Sequence, residues 1–456
     1  MSNESAQYRQ RKFFEDNPTL VSTKVEDQWY DRKSVRIDPS TLANLLIAFA
    51  NADGGTVVVG VEKDGSVTGV DDAVGRVNRL RQTAIDHTSP PVRHTVDLIP
   101  CSTSKGISDH VLVFEVHPSD RLHRNGRGEV YKRYGDQTRK LGEEEARELA
   151  FDKGELPFDG MPAPDVSVTD LNQVTLRGFA SAIGVGDDVE RALRVRSLTV
   201  MRDGKPLVTW GALLLFGTTP QSLWPGASVR ILRYEGLRPQ PGTRSNLVFD
   251  RRIEGTLPSQ IEHAQQILLN QIREVTKLDE QTGQFVTTPE IPRFAWLEAI
   301  VNAVTHRSYS LQGNYIRVSL FDDRIEVESP GRLPGPVRID NIRRTRFSRN
   351  PRISRALADL RIVQELNEGM NRMFDEMIQA GLPEPVLQQT DAGFKVTLFN
   401  SSEAEREQVE QIIATVPRSF APALDRLFAE GRITTGDAAQ LAGVSLPTIR
   451  RYFREL

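Results

Sequence analysis

Only one cysteine, Cys101, stands in 456 residues. A lone thiol excludes an intrachain disulfide framework and a thiolate-rich metal cluster. The seven histidines are scattered and give no close-spaced zinc motif. No run approaches the roughly 18 apolar residues of a membrane helix. The start, Met1-Ser2-Asn3-Glu4-Ser5, lacks the basic and apolar regions of a secretory signal. A cytoplasmic location without a membrane partner is therefore expected. Internal repeats and long low-complexity tracts are missing too. Neither charge sign dominates: 58 Lys and Arg against 61 Asp and Glu leave a formal net charge of −3. That balance argues against a wholly basic nucleic-acid coat but leaves room for local clusters, such as Arg338 to Arg355 and Arg450 to Arg454.

What is present describes a globular chain of several domains. Its length exceeds one ordinary core, so roughly two to four domains are expected. A hydrophobic share of 38% and a charged share of 26% fit packed domains. Residues 1–20 are polar and read as a frayed helical lead-in. Leu42, Leu45, Leu46 and Phe49 share one face of an expected helix from Ser40 to Phe49, with Asp38 or Ser40 as its cap. Gly54-Gly55 ends it. Thr56 to Val61 is then a buried strand rich in β-branched residues, and Asp64-Gly65 turns into a return at Val67 to Val70. A helix at Asp71 to His87 and strands at Val92 to Ile99, His110 to Val116 and Val130 to Arg133 follow. Leu156 to Pro164, rich in Pro and Gly, is the best linker. Beyond it, helices are expected at Thr169 to Ile183, Asp188 to Leu193 and Pro258 to Val275, and a strand at Ala227 to Tyr234.

The helix opening at Trp296 carries the chemistry. Leu297, Ile300, Val301 and Val304 make an apolar face, while Glu298, Asn302 and His306 recur at i, i+4 and i+8 on another. Alone, such a row reads equally as a solvated face or as short polar arms able to gather a metal ion and phosphates. Strands at Tyr315 to Phe321 and Arg324 to Glu328, the turn Ser329-Pro330-Gly331, and Leu366 to Met373 complete this stretch.

Two parts of the chain resemble known families. Ile47 to Val61, reading Ile-Ala-Phe-Ala-Asn-Ala-Asp-Gly-Gly-Thr-Val-Val-Val-Gly-Val, resembles the signature of Schlafen AlbA-type domains. Glu26, Asp31 and Lys33 keep the upstream spacing of that family, with Asp in place of the second Glu. In the nuclease branch such carboxylates hold a divalent metal. The resemblance thus offers Glu26, Asp31 and Glu62 (or Asp64) as ligands for Mn²⁺ or Mg²⁺, with Lys33 stabilising phosphate charge. The alternative is that Lys33 only contacts a nucleic-acid backbone. Tyr131, Lys132, Arg133 and Tyr134 alternate aromatic and basic side chains, a pattern that suits contact with DNA or RNA and equally an amphipathic edge strand.

The second resemblance is to the GHKL ATPase fold, as found in the C-terminal module of bacterial AlbA-domain regulators. Glu298-x3-Asn302-Ala303-x2-His306-Arg307 resembles its N-box, and Asp322 to Val327 with Ser329 to Pro334 and Ser348-Arg349-Asn350-Pro351 resemble its later motifs. The resemblance implies ATP and Mg²⁺ as ligands. Asn302 would coordinate the magnesium, Glu298 would position or activate water, and Gly331 would let backbone approach the nucleotide. His306, Arg307, Arg349, Asn350 and Gly369 are its further nucleotide-binding candidates. The chain departs from the family at Asn367, where a phosphate-loop glycine is usual, and it has no clear adenine-binding Asp, for which Glu326-Val327-Glu328 is an indirect substitute. The arginines from Arg338 to Arg355 fall where such proteins have an ATP lid.

Ile433 to Phe453 resembles a helix-turn-helix. Thr435 and Ser445 are expected to cap its helices, with Gly443 at the turn, and Thr448, Arg450, Arg451 and Arg454 available to DNA. A small trihelical interaction module would look alike. The expected class is α+β multidomain: lead-in 1–23, Schlafen AlbA-like α/β domain 24–155, connecting α/β region 156–290, GHKL-like α/β sandwich 291–400 and an all-α helix-turn-helix 401–456. The expected function is a nucleic-acid-binding, ATP-binding regulator of transcription, possibly homo-oligomeric. A metal-dependent nuclease acting in defence and a degenerate scaffold are the alternatives.

Overall fold

A computed structural model describes residues 23–240, 242, 245–278, 283–363, 368–390, 393–401, 420, 422–423 and 433–449. The expected lead-in, the charged connector at 401–413, most of the helix at 420–430, and Asn367, Arg450, Arg451 and Arg454 lie outside them. The chain divides into two compact units, 1–156 and 157–456, parting within the expected linker.

The first unit opens with β1 (Tyr30–Lys33), α1 (Pro39–Ala50) and β2 (Gly55–Val59). Asp38, not Ser40, caps α1, accepting the Ser40 amide at 3.1 Å, and Pro39 occupies the first turn, where its missing N–H is no loss. Leu45 through Ala50 are all buried, because α1 is covered on several sides. At the following turn Gly54 takes φ 76°, and a β-carbon there would strike Pro118 and the Val116 carbonyl. Then come α2 (Val74–Asp86), β3 (His94–Ser102) and β4 (Ser108–Val116). The sheet runs β1-β2-β4-β3, with β1 and β2 parallel and the rest antiparallel. Leu42, Phe49, Val57, Leu80 and Phe114 meet in its core. A hairpin, β5 (Tyr131–Tyr134) and β6 (Gln137–Lys140), packs on α1 before α3 (Glu143–Asp152).

The second unit begins with α4 (Gln173–Ala182) and α5 (Val189–Val195). The apolar run after Thr209 is a wholly buried helix, α6 (Trp210–Phe216), capped by the Thr209 hydroxyl. Strands β7 (Val229–Tyr234) and β8 (Leu247–Ile253) precede α7 (Leu257–Gln271). The helix expected to reach Val275 stops at Gln271. Val275 and Thr276 are β-branched and pair instead with Thr288 and Thr287, in a hairpin of β9 (Glu274–Leu278) and β10 (Phe285–Pro289). Next come α8 (Arg293–His306), β11 (Ile316–Leu320), β12 (Arg324–Pro330), α9 (Pro351–Asp359), α10 (Glu368–Gln379), β13 (Val386–Gln389) and β14 (Gly393–Phe399). These strands form one six-stranded sheet, β8-β7-β11-β12-β14-β13, in which β7 and β11 are parallel. Strands from both sides of residue 290 share it, so the boundary expected there crosses a continuous sheet. Helix α8 packs against β12 and β11, and against α10 and α7.

Near the C-terminus α11 (Thr435–Ala442) is capped by Thr434 rather than Thr435, the Thr434 hydroxyl accepting the Asp437 amide at 3.1 Å. Gly443 follows with φ 65°, and 446–449 are helical. Ala438, Ala442 and Ile449 share a small apolar cluster with Phe420. Among the described residues no helix is long and apolar enough to cross a membrane.

Candidate nucleotide site

Helix α8 turns Ile300 and Val304 into the core. Its polar row does not face open water. Glu298, Asn302 and His306 all line a cavity of about 420 Å³, within the usual size range for a small-molecule site. The opposite walls are the turn after β12 with Gly331, the segment 332–348 and the start of α10 with Gly369. Apolar side chains, among them Val327, Val337, Phe347, Met373 and Val396, make up much of the lining.

At one end the Asn302 amide nitrogen donates to Glu298 Oε1 at 2.9 Å. Burial raises the Glu298 carboxyl above its ordinary range, and the Asn302 hydrogen bond only partly opposes this. Gly369 sits so close that a β-carbon would overlap the Glu298 carboxylate, so α10 begins directly against that group. Gly331, at φ 103°, likewise leaves no room for a β-carbon against Ser308. Its turn is pinned to the end of α8, where Ser329 Oγ donates to the Ala303 carbonyl at 2.8 Å and the Ser308 amide to Pro330 O at 2.8 Å.

These donors fit a hard cation. With the Asn302 nitrogen committed to Glu298, the amide oxygen is left for coordination beside one carboxylate. Magnesium is usually held by one or two protein oxygens, with phosphates and waters completing the shell. When bound there, it would neutralise phosphate charge that Glu298 alone would repel.

Three expected nucleotide ligands have other roles. Arg307 is fully buried and donates to the carbonyls of Ser308, Gly226, Leu311 and Asn314. Asn350, also fully buried, donates to the Thr305 and Arg307 carbonyls at 2.9 and 2.8 Å, closing the end of α8. Arg349 reaches Ser308 Oγ at 3.3 Å and the Arg332 carbonyl. None of the three lines the cavity, whereas Ser348, not singled out from the sequence, does. His306 is neutral: burial, with the Arg349 charge beside it, pushes its imidazole down to about 4. Glu326 and Glu328 flank Val327 but turn to the other face of the sheet. There Glu326 meets Arg324 at 2.7 Å and Glu328 meets Arg317. Several arginines of the expected lid are held by protein: Arg343 binds Asn371 Oδ1 at 3.0 Å and stacks on Phe374, and Arg352 pairs with buried Asp159.

In the first unit the expected metal ligands are otherwise engaged. Arg133, expected on a nucleic-acid surface, is 1% exposed and binds Asp31 Oδ2 at 2.6 Å. The Lys33 ammonium takes the other Asp31 oxygen and lies 3.5 Å from Glu26. Glu62 accepts from Ser34 Oγ at 2.8 Å and Thr68 Oγ1 at 3.3 Å. Two cations thus sit where a nuclease metal would need those carboxylates, and among the described residues no three acidic, His or Cys side chains gather to hold an ion. The set does not fit the metal. Lys132 remains half-buried, its ammonium over the Tyr134 ring, and Thr448 is half-buried with its hydroxyl on Ser445 Oγ at 2.9 Å.

Residues 313–398 match the family described as putative ATP-dependent DNA helicase recG C-terminal, and residues 26–142 match the one described as Schlafen, AlbA_2. No curated protein matches the chain. Among solved structures, that of the DIP2311 protein from Corynebacterium diphtheriae aligns over 98% of this chain and 93% of its own, at 19% identity and a TM-score of 0.44. The chain thus combines a Schlafen AlbA_2-type domain in its first unit with a GHKL-like ATPase module in its second.

Proposed function

We propose that the chain is an ATP-binding regulator that acts on nucleic acid, with ATP·Mg²⁺ in the cavity beneath α8. The observation that carries this reading is the convergence of Glu298, Asn302, Gly331 and Gly369 on one enclosed space. Asn302 offers its amide oxygen to the cation. Glu298, whose carboxyl burial makes more basic, orients a water for attack on the terminal phosphate if hydrolysis occurs. The AlbA_2-type domain and the turn of helices at 435–449 supply the nucleic-acid side, with DNA as the first partner to test and transcription as the process. Titrating ATP·Mg²⁺ into wild type and Asn302→Ala tests the nucleotide half: tight binding is expected for wild type and at least about tenfold weaker binding for the variant. Equal affinity in the two proteins, or none in wild type, removes it.

A further inference from the structure

Glu298 and His306 lie eight residues apart on α8, about 12 Å along the helix axis, comparable to the span from base to terminal phosphate of a nucleotide. If the phosphates and cation belong at Glu298 and Asn302, the base belongs at His306. There two polar atoms are buried without a hydrogen-bond partner among the described residues, His306 Nδ1 and Ser348 Oγ, and both residues line the cavity. The neighbouring Asn350 holds residues 348–350 against this end of α8 through its bonds to the Thr305 and Arg307 carbonyls. Interiors seldom leave such groups unpaired, because each costs its full desolvation penalty. Two of them facing one cavity therefore point to a ligand edge that pairs with both.

The chemistry of the pair differs from that of a carboxylate. A carboxylate only accepts, so it welcomes an amino group and repels a carbonyl. The sole acid on the cavity wall is Glu298, at the opposite end. A hydroxyl donates or accepts by rotating, and a neutral imidazole does either by changing tautomer. Both purine edges can be satisfied by such a pair: the amino group and ring nitrogen of a 6-aminopurine, or the carbonyl and ring N–H of a 6-oxopurine. We propose that His306 and Ser348 read the base edge of a purine nucleoside triphosphate without fixing its polarity, so the site takes 6-amino and 6-oxo purines alike. This rests on the ATP-binding reading and sharpens its substrate class.

The test uses the full chain and three magnesium-bound probes: ATP, GTP and purine riboside triphosphate, which carries only hydrogen at the 6-position. ATP and GTP are expected to bind within about tenfold of each other, and the 6-hydrogen analogue at least about tenfold more weakly than either. Ser348→Ala should weaken ATP and GTP to a similar degree. His306 variants risk misfolding, so the comparison of probes on wild type carries the decision. A preference for ATP over GTP beyond tenfold, or an analogue bound as tightly as ATP, overturns relaxed base reading while leaving ATP binding intact. Absence of binding to all three probes overturns both.

Discussion

Arg133 and Asp31 meet at 2.6 Å with side chains only 1% and 3% exposed, and Arg133 also donates to the Asp27 and Tyr30 carbonyls while lying over the Phe49 ring. A charge so enclosed depends on its partner. Asp31→Ala would strand the guanidinium, and a loss of about 3–5 kcal/mol is expected in urea unfolding. Replacing both residues together, Asp31→Leu with Arg133→Met, should recover most of that, since the cost lies in the orphaned charge rather than in the missing pair. An unshifted unfolding midpoint for Asp31→Ala would show that the pair carries no such weight. Single residues were the hardest feature to read in advance. Lys132 and Arg133 look equivalent as letters, yet strand alternation leaves one half-buried and sends the other into the core. The Ser348-Arg349-Asn350 motif likewise named the right segment, but its resemblance could not say that the serine faces the cavity while the arginine and asparagine face protein.

At the scale of elements, α8 organises the second unit, and its C-terminal end shows how. The last carbonyls of a helix have no partner within it. Here Asn350, from the far side of the segment that walls the cavity, supplies two of the missing donors. Asn350→Ala should therefore cost about 2 kcal/mol, read as a lower thermal midpoint, with nucleotide affinity reduced because Ser348 loses its support. An unchanged midpoint would mean that other groups satisfy those carbonyls. The existence of α1, α2, α7 and α8 was legible from apolar spacing, as were the strands from Val229 to Val327. Their ends were less so. Asp38 took the cap of α1 from Ser40, and Val275 left the helix for a hairpin, because caps and β-branched pairing depend on neighbours that spacing does not record.

At the scale of the molecule, the sequence motifs placed an AlbA-type signature and a GHKL-like N-box in separate units, and the division at 156–157 keeps them so. What spacing could not show was that β7 and β8, read as a connecting region, are structural strands of the same sheet that supports α8. The cavity lies wholly within the second unit, and this has a thermodynamic consequence. A ligand that binds only the folded form stabilises whatever unfolds with its site, by about 2.7 kcal/mol at a hundred times its dissociation constant. Saturating ATP·Mg²⁺ should therefore raise the calorimetric transition of residues 157–456 by a few degrees and leave that of residues 1–156 in place. Asn302→Ala should abolish the shift, and withdrawing magnesium with a chelator should shrink it. If nucleotide moves both transitions equally in wild type, the units unfold as one cooperative body. If it moves neither, the cavity does not hold nucleotide.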